Sequence, residues 1–214
     1  MFIFFRVFVC KLLKLFPALL LGLLGALPAS AATILVYGDS LSAGYGLARG
    51  ADWPALLQQR LRELKSDYKV ANASISGETT LGGLNRIEQA LREHRPALTI
   101  VALGANDGLR GASVEAMRSN LERIIDAARR ANSRVLLVGM QIPPNYGPQY
   151  TEKFRRSFSE IARAKRVPLV PFLLEGFAEK RELFQPDQLH PVAAAQPLIL
   201  DTVWKVLGAE LKVQ

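Results

Sequence analysis

The pattern of hydrophobic and polar positions alternates between short apolar runs and longer amphipathic stretches along most of the chain. Short apolar runs bounded by turn-forming residues are typical of buried strands. Such runs predict strands over residues 34–37, 68–73, 97–103, 134–140 and 167–172. Stretches with helical spacing predict helices over residues 53–64, 84–92, 114–131, 150–165 and 192–207.

Residues that begin and end helices support these assignments. Asp52 is a candidate cap for the first helix, and Pro54 lies in its first turn. We expect the second helix to end before Pro96, and the last helix to begin near Pro191 and end at Gly208. Alternating strands and helices, without repeats or linkers, predict one α/β domain whose parallel sheet is covered on both faces.

Ser40 lies directly after the first predicted strand, in a Gly-Asp-Ser-Leu-Ser segment. Open α/β sheets bind ligands beyond the carboxyl ends of their strands, and a serine nucleophile there needs a base and a group that orients the base. By itself the segment is also ordinary turn chemistry. Ser42 stands where the nucleophile turn of α/β-hydrolases needs glycine, and Gly44, Gly46 and Gly50 miss the spacing of a dinucleotide-binding loop.

The candidate bases are the two histidines of the chain, His94 and His190. His94 lies at a predicted helix end, which favours a structural role. Asp187 precedes His190 by three residues, a spacing that can bring its carboxylate to the Nδ1 side of the ring and leave Nε2 facing outward. Taken alone, the pair is more typical of an acidic residue near a helix N-terminus beside a surface histidine.

Two further loops offer hydrogen-bond donors after predicted strands. Gly77 could present its backbone N–H without a side chain in the way, and the Asn106 carboxamide offers N–H donors. An ordinary glycine turn and an Asx turn are the alternatives. Together with the Ser40 N–H, these groups would form an oxyanion hole. Four such signals, each just after a predicted parallel strand, converge on one edge of the sheet and favour a catalytic site there.

The first 31 residues have the pattern of a secretory signal peptide. Basic positions precede an apolar run over residues 15–29, and residues 29–31 have the small residues of a cleavage site. An uncleaved anchor is the alternative, which the shortness of the run and Pro17 disfavour. Cleavage near Ala31 would leave a single domain over residues 32–214, located in the periplasm or secreted.

Charge and cysteine content narrow the function classes further. The net charge of +8 falls to +5 without the predicted signal peptide, and no basic block is interleaved with aromatic residues, so we expect no nucleic-acid partner. The positive charge favours a mild attraction to anionic surfaces, which leaves transient contact with lipid surfaces open. Cys10 is the only cysteine, so residues 32–214 have no disulfide and no cysteine metal site.

These motifs resemble the SGNH, or GDSL-type, hydrolase family. Its four blocks are present in order, at residues 38–42, at Gly77, at 104–107 and at 187–190. Further segments, such as Asn-Ala-Ser-Ile-Ser-Gly before Glu78, resemble its subgroup of bacterial periplasmic multifunctional thioesterases, proteases, lysophospholipases and arylesterases. Ala105 departs from members that carry glycine at that position.

The resemblance implies a three-layer αβα flavodoxin-like sandwich with a central parallel sheet of about five strands. It implies Ser40 as nucleophile, His190 as base, Asp187 as orienter, and Ser40, Gly77 and Asn106 as oxyanion donors. The implied reaction is hydrolysis of fatty acyl esters and thioesters through an acyl-enzyme, with a small acyl ester or thioester as substrate. No metal or other cofactor is implied, and we expect a monomer.

Apolar residues that follow the strands are candidates for an acyl pocket, and ordinary loop packing explains them equally well. They are Tyr45, Leu47, Leu109, Ile142, Pro143, Pro144 and Tyr146.

An alternative reaction on the same fold is deacetylation of carbohydrate esters. Exposed aromatic platforms for sugar would favour it, whereas Trp53 and Trp204 both lie on predicted helices. A non-catalytic phosphoacceptor domain built on Asp39 is disfavoured, because it needs an acidic cluster for Mg²⁺ and a lysine near the end of the last strand, and residues 168–172 supply none of these.

Overall fold

Five parallel strands form the central sheet in a computed structural model that describes residues 32–212. The strands are β1 (Thr33–Gly38), β2 (Lys69–Asn72), β3 (Leu98–Ala102), β4 (Arg134–Val138) and β5 (Leu169–Val170). Their spatial order is β2-β1-β3-β4-β5, and every neighbouring pair is parallel. This is the flavodoxin-like order, and it confirms the predicted fold class.

Seven α-helices accompany the strands within residues 32–212. They are α1 (Ser40–Ala43), α2 (Trp53–Glu63), α3 (Thr80–His94), α4 (Ala105–Leu109), α5 (Val114–Arg130), α6 (Pro148–Lys165) and α7 (Gln196–Leu211). Single turns of 3₁₀-helix lie at Pro144–Tyr146, Arg181–Leu183 and Ala193–Ala195.

Alternate residues of β1 contribute to two separate hydrophobic cores, one on each face of the sheet. Ile34 and Val36 pack in the core beneath α2 and α7, whereas Leu35 and Tyr37 pack in the core beneath α3, α5 and α6. All of β3 is buried. β1, β3 and β4 are mostly apolar at consecutive positions because helices cover both of their faces, whereas the edge strand β2 is only partly buried.

Several helix boundaries differ from the sequence predictions. Asp52 caps α2 as predicted, by accepting a hydrogen bond from the Ala55 N–H. The prediction that the last helix begins near Pro191 and ends at Gly208 is wrong. A 3₁₀ turn precedes α7, and the helix continues through Gly208, which lies against the Trp204 side chain, until Lys212 adopts a left-handed conformation.

The predicted signal peptide and Cys10 lie outside the described residues. The described residues belong to one compact unit. None of the helices within residues 32–212 is both long enough and apolar enough to span a membrane.

Candidate active site

Ser40 is the first residue of α1 and follows β1 directly. Asp39 caps this short helix, because its Oδ1 accepts a hydrogen bond from the Leu41 N–H at 3.0 Å. Gly38 is required by close packing, since a Cβ there would lie 2.9 Å from both the Ala102 carbonyl oxygen and the Ser42 Oγ. The serine is therefore held at the carboxyl end of β1, beside β3, where the strand order of the sheet reverses.

His190 lies on a small antiparallel hairpin after β5, formed by residues 183–192 and called here the His190 hairpin. Phe184 and Pro191 form its backbone bridge, and the Gln185 N–H donates to the His190 carbonyl at 2.7 Å. Gln188 in its turn has a φ of 57°, a left-handed conformation that is uncommon for residues other than glycine. The turn holds Asp187 beside His190.

A continuous chain of hydrogen bonds joins Asp187, His190 and Ser40. The Nε2 atom of His190 lies 2.9 Å from the Ser40 Oγ, and its Nδ1 lies 2.7 Å from the Asp187 Oδ2. The other carboxylate oxygen of Asp187 accepts the backbone N–H groups of Leu189 and His190 at 2.9 and 3.0 Å. An ionised Asp187 can only accept a hydrogen bond, so Nδ1 carries the ring proton and donates it to the carboxylate oxygen in that bond, which leaves the Nε2 lone pair facing the serine hydroxyl.

The Asp187 carboxylate stays ionised over a wide pH range. Desolvation raises its pKa, but the Leu189 N–H, the imidazole of His190 and the His190 N–H outweigh that effect and lower the pKa to about 2. The negative charge of this carboxylate, which lies next to Nδ1, stabilises the protonated imidazole.

Tyr45 packs against the imidazole of His190. The centroids of the two rings lie 4.4 Å apart, with 38° between their planes. Tyr45 belongs to the segment of residues 39–52, called here the Ser40 loop, and its side chain is half exposed. The phenol ring therefore shields one face of the imidazole and restricts its rotation.

Asn106 lies on α4, immediately after β3. Its Nδ2 donates to the Glu78 carbonyl at 3.0 Å, and because a carboxamide carries two N–H donors, one remains for a ligand. Gly77 has a φ of 78°, and its carbonyl accepts a hydrogen bond from Arg110 at 3.1 Å. The hydrogen bond from Asn106 to Glu78 thus joins α4 to the loop that carries Gly77.

A cavity of about 420 Å³, called here the Ser40 cavity, opens beside the hydrogen-bonded chain. Ser40, Asn106 and His190 line it, whereas Gly77 lies outside it. The remaining lining is mostly apolar and comprises Leu41, Ala105, Leu109, Met140, Gln141, Ile142, Pro143, Pro144, Phe172, Leu174, Ala178, Glu179, Phe184, Gln188 and Leu189.

The pocket residues expected from the sequence divide into two groups. Four of the seven line the Ser40 cavity, namely Leu109, Ile142, Pro143 and Pro144, whereas Tyr45, Leu47 and Tyr146 do not. Tyr146 instead donates its hydroxyl hydrogen to the Leu109 carbonyl at 2.8 Å, which holds a lining residue in place. The cavity wall after β5 was missed, although its apolar residues Phe172, Leu174, Ala178 and Phe184 lie at the same edge of the sheet as Ser40.

Two buried carboxylates behind the site were not expected from the sequence. Asp107 accepts both the backbone N–H and the hydroxyl of Thr80, at 2.9 and 2.6 Å, and so ties α4 to the start of α3. The pKa of Asp39 is raised to about 7, mainly by burial. The Leu41 N–H lowers this pKa, whereas the negative charges of Asp107 and Glu78 raise it further.

No group of three or more His, Cys, Asp or Glu side chains within residues 32–212 is placed to hold a metal ion.

The raised pKa of Asp39 predicts that the folded protein loses stability as pH rises. Its pKa is about 7 in the folded protein and near 4 in an unfolded chain, so the folded state binds the extra proton between these values. Wild type should therefore lose stability relative to Asp39→Asn as pH rises from about 4 to about 7. Asparagine can still cap α1. Urea unfolding of both proteins across this range measures the difference, and parallel stability curves would contradict the assignment.

Comparison with known proteins agrees with this geometry. The sequence profile of the GDSL-like Lipase/Acylhydrolase family matches residues 36–197. Esterase TesA of Pseudomonas aeruginosa is 48% identical over 179 residues, which cover 84% of this chain and 89% of that protein. Thioesterase 1/protease 1/lysophospholipase L1 of Escherichia coli K12 is 41% identical, over 89% of this chain and 90% of that protein.

A solved structure shows the same arrangement of the chain. The psychrotrophic esterase EstA from Pseudoalteromonas sp., inhibited by monoethylphosphonate, superposes with a TM-score of 0.81. It is 42% identical in sequence, and the match covers 84% of this chain and 98% of that chain. On the family profile, the sequence relatives and this structural match, the chain belongs to the GDSL-like lipase/acylhydrolase family.

Proposed function

We propose that this protein hydrolyses carboxylic esters and thioesters of fatty acyl groups through an acyl-enzyme on Ser40. The observation that carries the proposal is the hydrogen-bond chain from the Asp187 carboxylate through His190 to the Ser40 hydroxyl. This is the arrangement that a serine nucleophile needs, with a base at hydrogen-bond distance and a carboxylate that orients the base. The names of the relatives, esterase and thioesterase, support the same reaction.

In the first half of the reaction, the Ser40 Oγ attacks the acyl carbonyl carbon while His190 Nε2 takes the hydroxyl proton. The Asp187 carboxylate stabilises the imidazolium that results. The carbonyl oxygen becomes an oxyanion, which accepts hydrogen bonds from the N–H groups of Ser40 and Gly77 and from the Asn106 amide. The tetrahedral intermediate then expels the alcohol or thiol, which receives its proton from His190.

In the second half, water attacks the acyl-enzyme. His190 takes a proton from the water, the ester bond to Ser40 breaks, and the serine oxygen recovers its proton from His190. The free carboxylic acid leaves, and the site returns to its starting protonation state.

The composition of the Ser40 cavity supports a fatty acyl group as the part of the substrate that is bound. A volume of about 420 Å³ lies within the range of small-molecule sites, and the apolar lining suits an alkyl chain. The carbohydrate alternative finds less support, because Trp53 is fully buried and Trp204 packs with Arg60 in the layer formed by α2 and α7.

The proposal also covers where the enzyme acts, its oligomeric state and its contact with lipid surfaces. The signal-like sequence before Ala32 supports export to the periplasm or the medium, and we propose that the enzyme acts as a monomer. Transient contact with lipid surfaces is supported by the exposed large hydrophobic side chains within residues 32–212. Five of these seven lie near the carboxyl edge of the sheet, namely Tyr45, Ile75, Leu81, Tyr146 and Leu189.

Replacing the side-chain oxyanion donor tests the mechanism. Asn106→Ala should lower kcat roughly 10²- to 10³-fold and leave KM nearly unchanged, because the lost hydrogen bond forms fully only in the transition state. Steady-state hydrolysis of p-nitrophenyl acetate measures both constants. Asn145→Ala, an exposed asparagine outside the Ser40 cavity, serves as the control and should match wild type. Near-normal kcat in Asn106→Ala would remove this residue from the mechanism.

Glu179 tests whether the Ser40 cavity holds the acyl chain. It is the only carboxylate in the lining, and no ion pair involves it within residues 32–212. Glu179→Leu should raise kcat/KM for p-nitrophenyl dodecanoate relative to the acetate by roughly four- to tenfold, since each buried methylene contributes about 0.8 kcal/mol.

Glu175→Leu is the matched control, because Glu175 is exposed on the same segment but does not line the cavity. It should leave the ratio of the two esters unchanged. An equal rise in both variants, or no change in either, would place the acyl chain elsewhere.

A further inference from the structure

Ser40 and His190 lie on two segments that the sheet does not hold together. Ser40 follows β1, whereas the His190 hairpin lies after β5 and is not a strand of the sheet. Within residues 32–212, no backbone–backbone hydrogen bond joins the Ser40 loop to the His190 hairpin. The 2.9 Å contact between Ser40 and His190 therefore depends on side chains that bridge the two segments.

We propose that Gln185 is a positioning residue, whose side-chain amide fastens the His190 hairpin to the Ser40 loop and so sets the distance between the imidazole and the serine hydroxyl. The Nε2 of Gln185 donates to the Tyr45 carbonyl at 2.8 Å and to the Pro191 carbonyl at 3.3 Å. Its backbone N–H donates to the His190 carbonyl at 2.7 Å. One residue thus contacts the Ser40 loop at Tyr45 and the hairpin backbone at His190 and Pro191.

Gly46 provides the space that this amide occupies. Gly46 has a φ of 71°, and a Cβ built on it would lie 2.2 Å from the Gln185 Oε1 and 2.9 Å from the Nε2. Any larger residue at this position would have to displace the amide. The Ser40 loop and the His190 hairpin therefore fit together at Gly46 and Gln185, neither of which is a proposed catalytic residue.

The same contact fixes Tyr45 on the imidazole. Gln185 holds the Tyr45 carbonyl, and the Tyr45 ring packs on His190 at 4.4 Å. Losing the amide would free both the hairpin and the ring that covers the base. Because misplacement of reacting groups by about 1 Å can cost roughly 10²-fold in rate, the expected effect is on kcat.

This inference rests on the proposed function, and kinetics on p-nitrophenyl acetate test it. Gln185→Met keeps the length of the side chain and removes the donor. It should lower kcat roughly 10- to 100-fold with KM within about twofold of wild type, whereas loss of acyl binding would raise KM. Gln149→Ala, an exposed glutamine on α6, is the control and should match wild type. Full kcat in a folded Gln185→Met would overturn the proposal.

A double-mutant cycle with Gly46 gives the second measurement. Gly46→Ala should lower kcat in wild type, where its methyl group displaces the amide, but much less in Gln185→Ala, where that space is empty. If the loss of kcat in the double variant equalled the product of the two single-variant losses, the proposed coupling would be overturned. Urea unfolding of each variant establishes that the kinetic changes come from folded protein.

A wild-type and Ser40→Ala pair in the same assay separates this inference from the proposed function. If Ser40→Ala remained active, the serine mechanism itself would fail. If only the Gln185 variants behaved as wild type, the mechanism would stand without this positioning residue.

Discussion

The hydrogen bond between His190 Nε2 and Ser40 Oγ is the interaction on which the rest of the site depends. It joins residues that are 150 positions apart, one at the end of β1 and one on a hairpin outside the sheet. The parallel sheet brings the two segments to the same edge, but only contacts between loops can set a distance of 2.9 Å. The Tyr45 ring and the Gln185 amide supply such contacts, and the Asp187 turn sets the orientation of the imidazole.

Two carboxylates near the nucleophile are placed in opposite electrostatic environments. Asp187 accepts hydrogen bonds from two backbone N–H groups and from the imidazole, and these bonds keep its carboxylate ionised as a partner for a protonated His190. Asp39 is buried beneath the nucleophile beside Asp107 and Glu78, which favours its neutral form. Charge is thus stabilised at His190, where the proposed mechanism generates a cation, and is disfavoured at Asp39, where it lowers the stability of the fold.

Local patterns predicted much of this structure, and contacts between distant segments account for what they missed. Continuous apolar runs identified β1, β3 and β4 because burial on both faces demands them, and Asp187 and His190 were paired because a three-residue spacing acts within one turn. The predicted end of α7 was wrong because Leu207 and Leu211 are buried in the core on either side of Gly208, and this packing carries the helix past the glycine. Asp107, Gln185 and the cavity wall after β5 were missed because their roles depend on partners far away in sequence.

Covalent trapping of the nucleophile tests the central claim most directly. A p-nitrophenyl alkylphosphonate imitates the tetrahedral intermediate and should leave one phosphonyl group per molecule, with release of one equivalent of p-nitrophenol. Peptide mass spectrometry of residues 32–214 should place that group on Ser40, and Ser40→Ala should remain unlabelled. Labelling of a different residue, or turnover of an acyl ester by Ser40→Ala, would contradict an acyl-enzyme on Ser40.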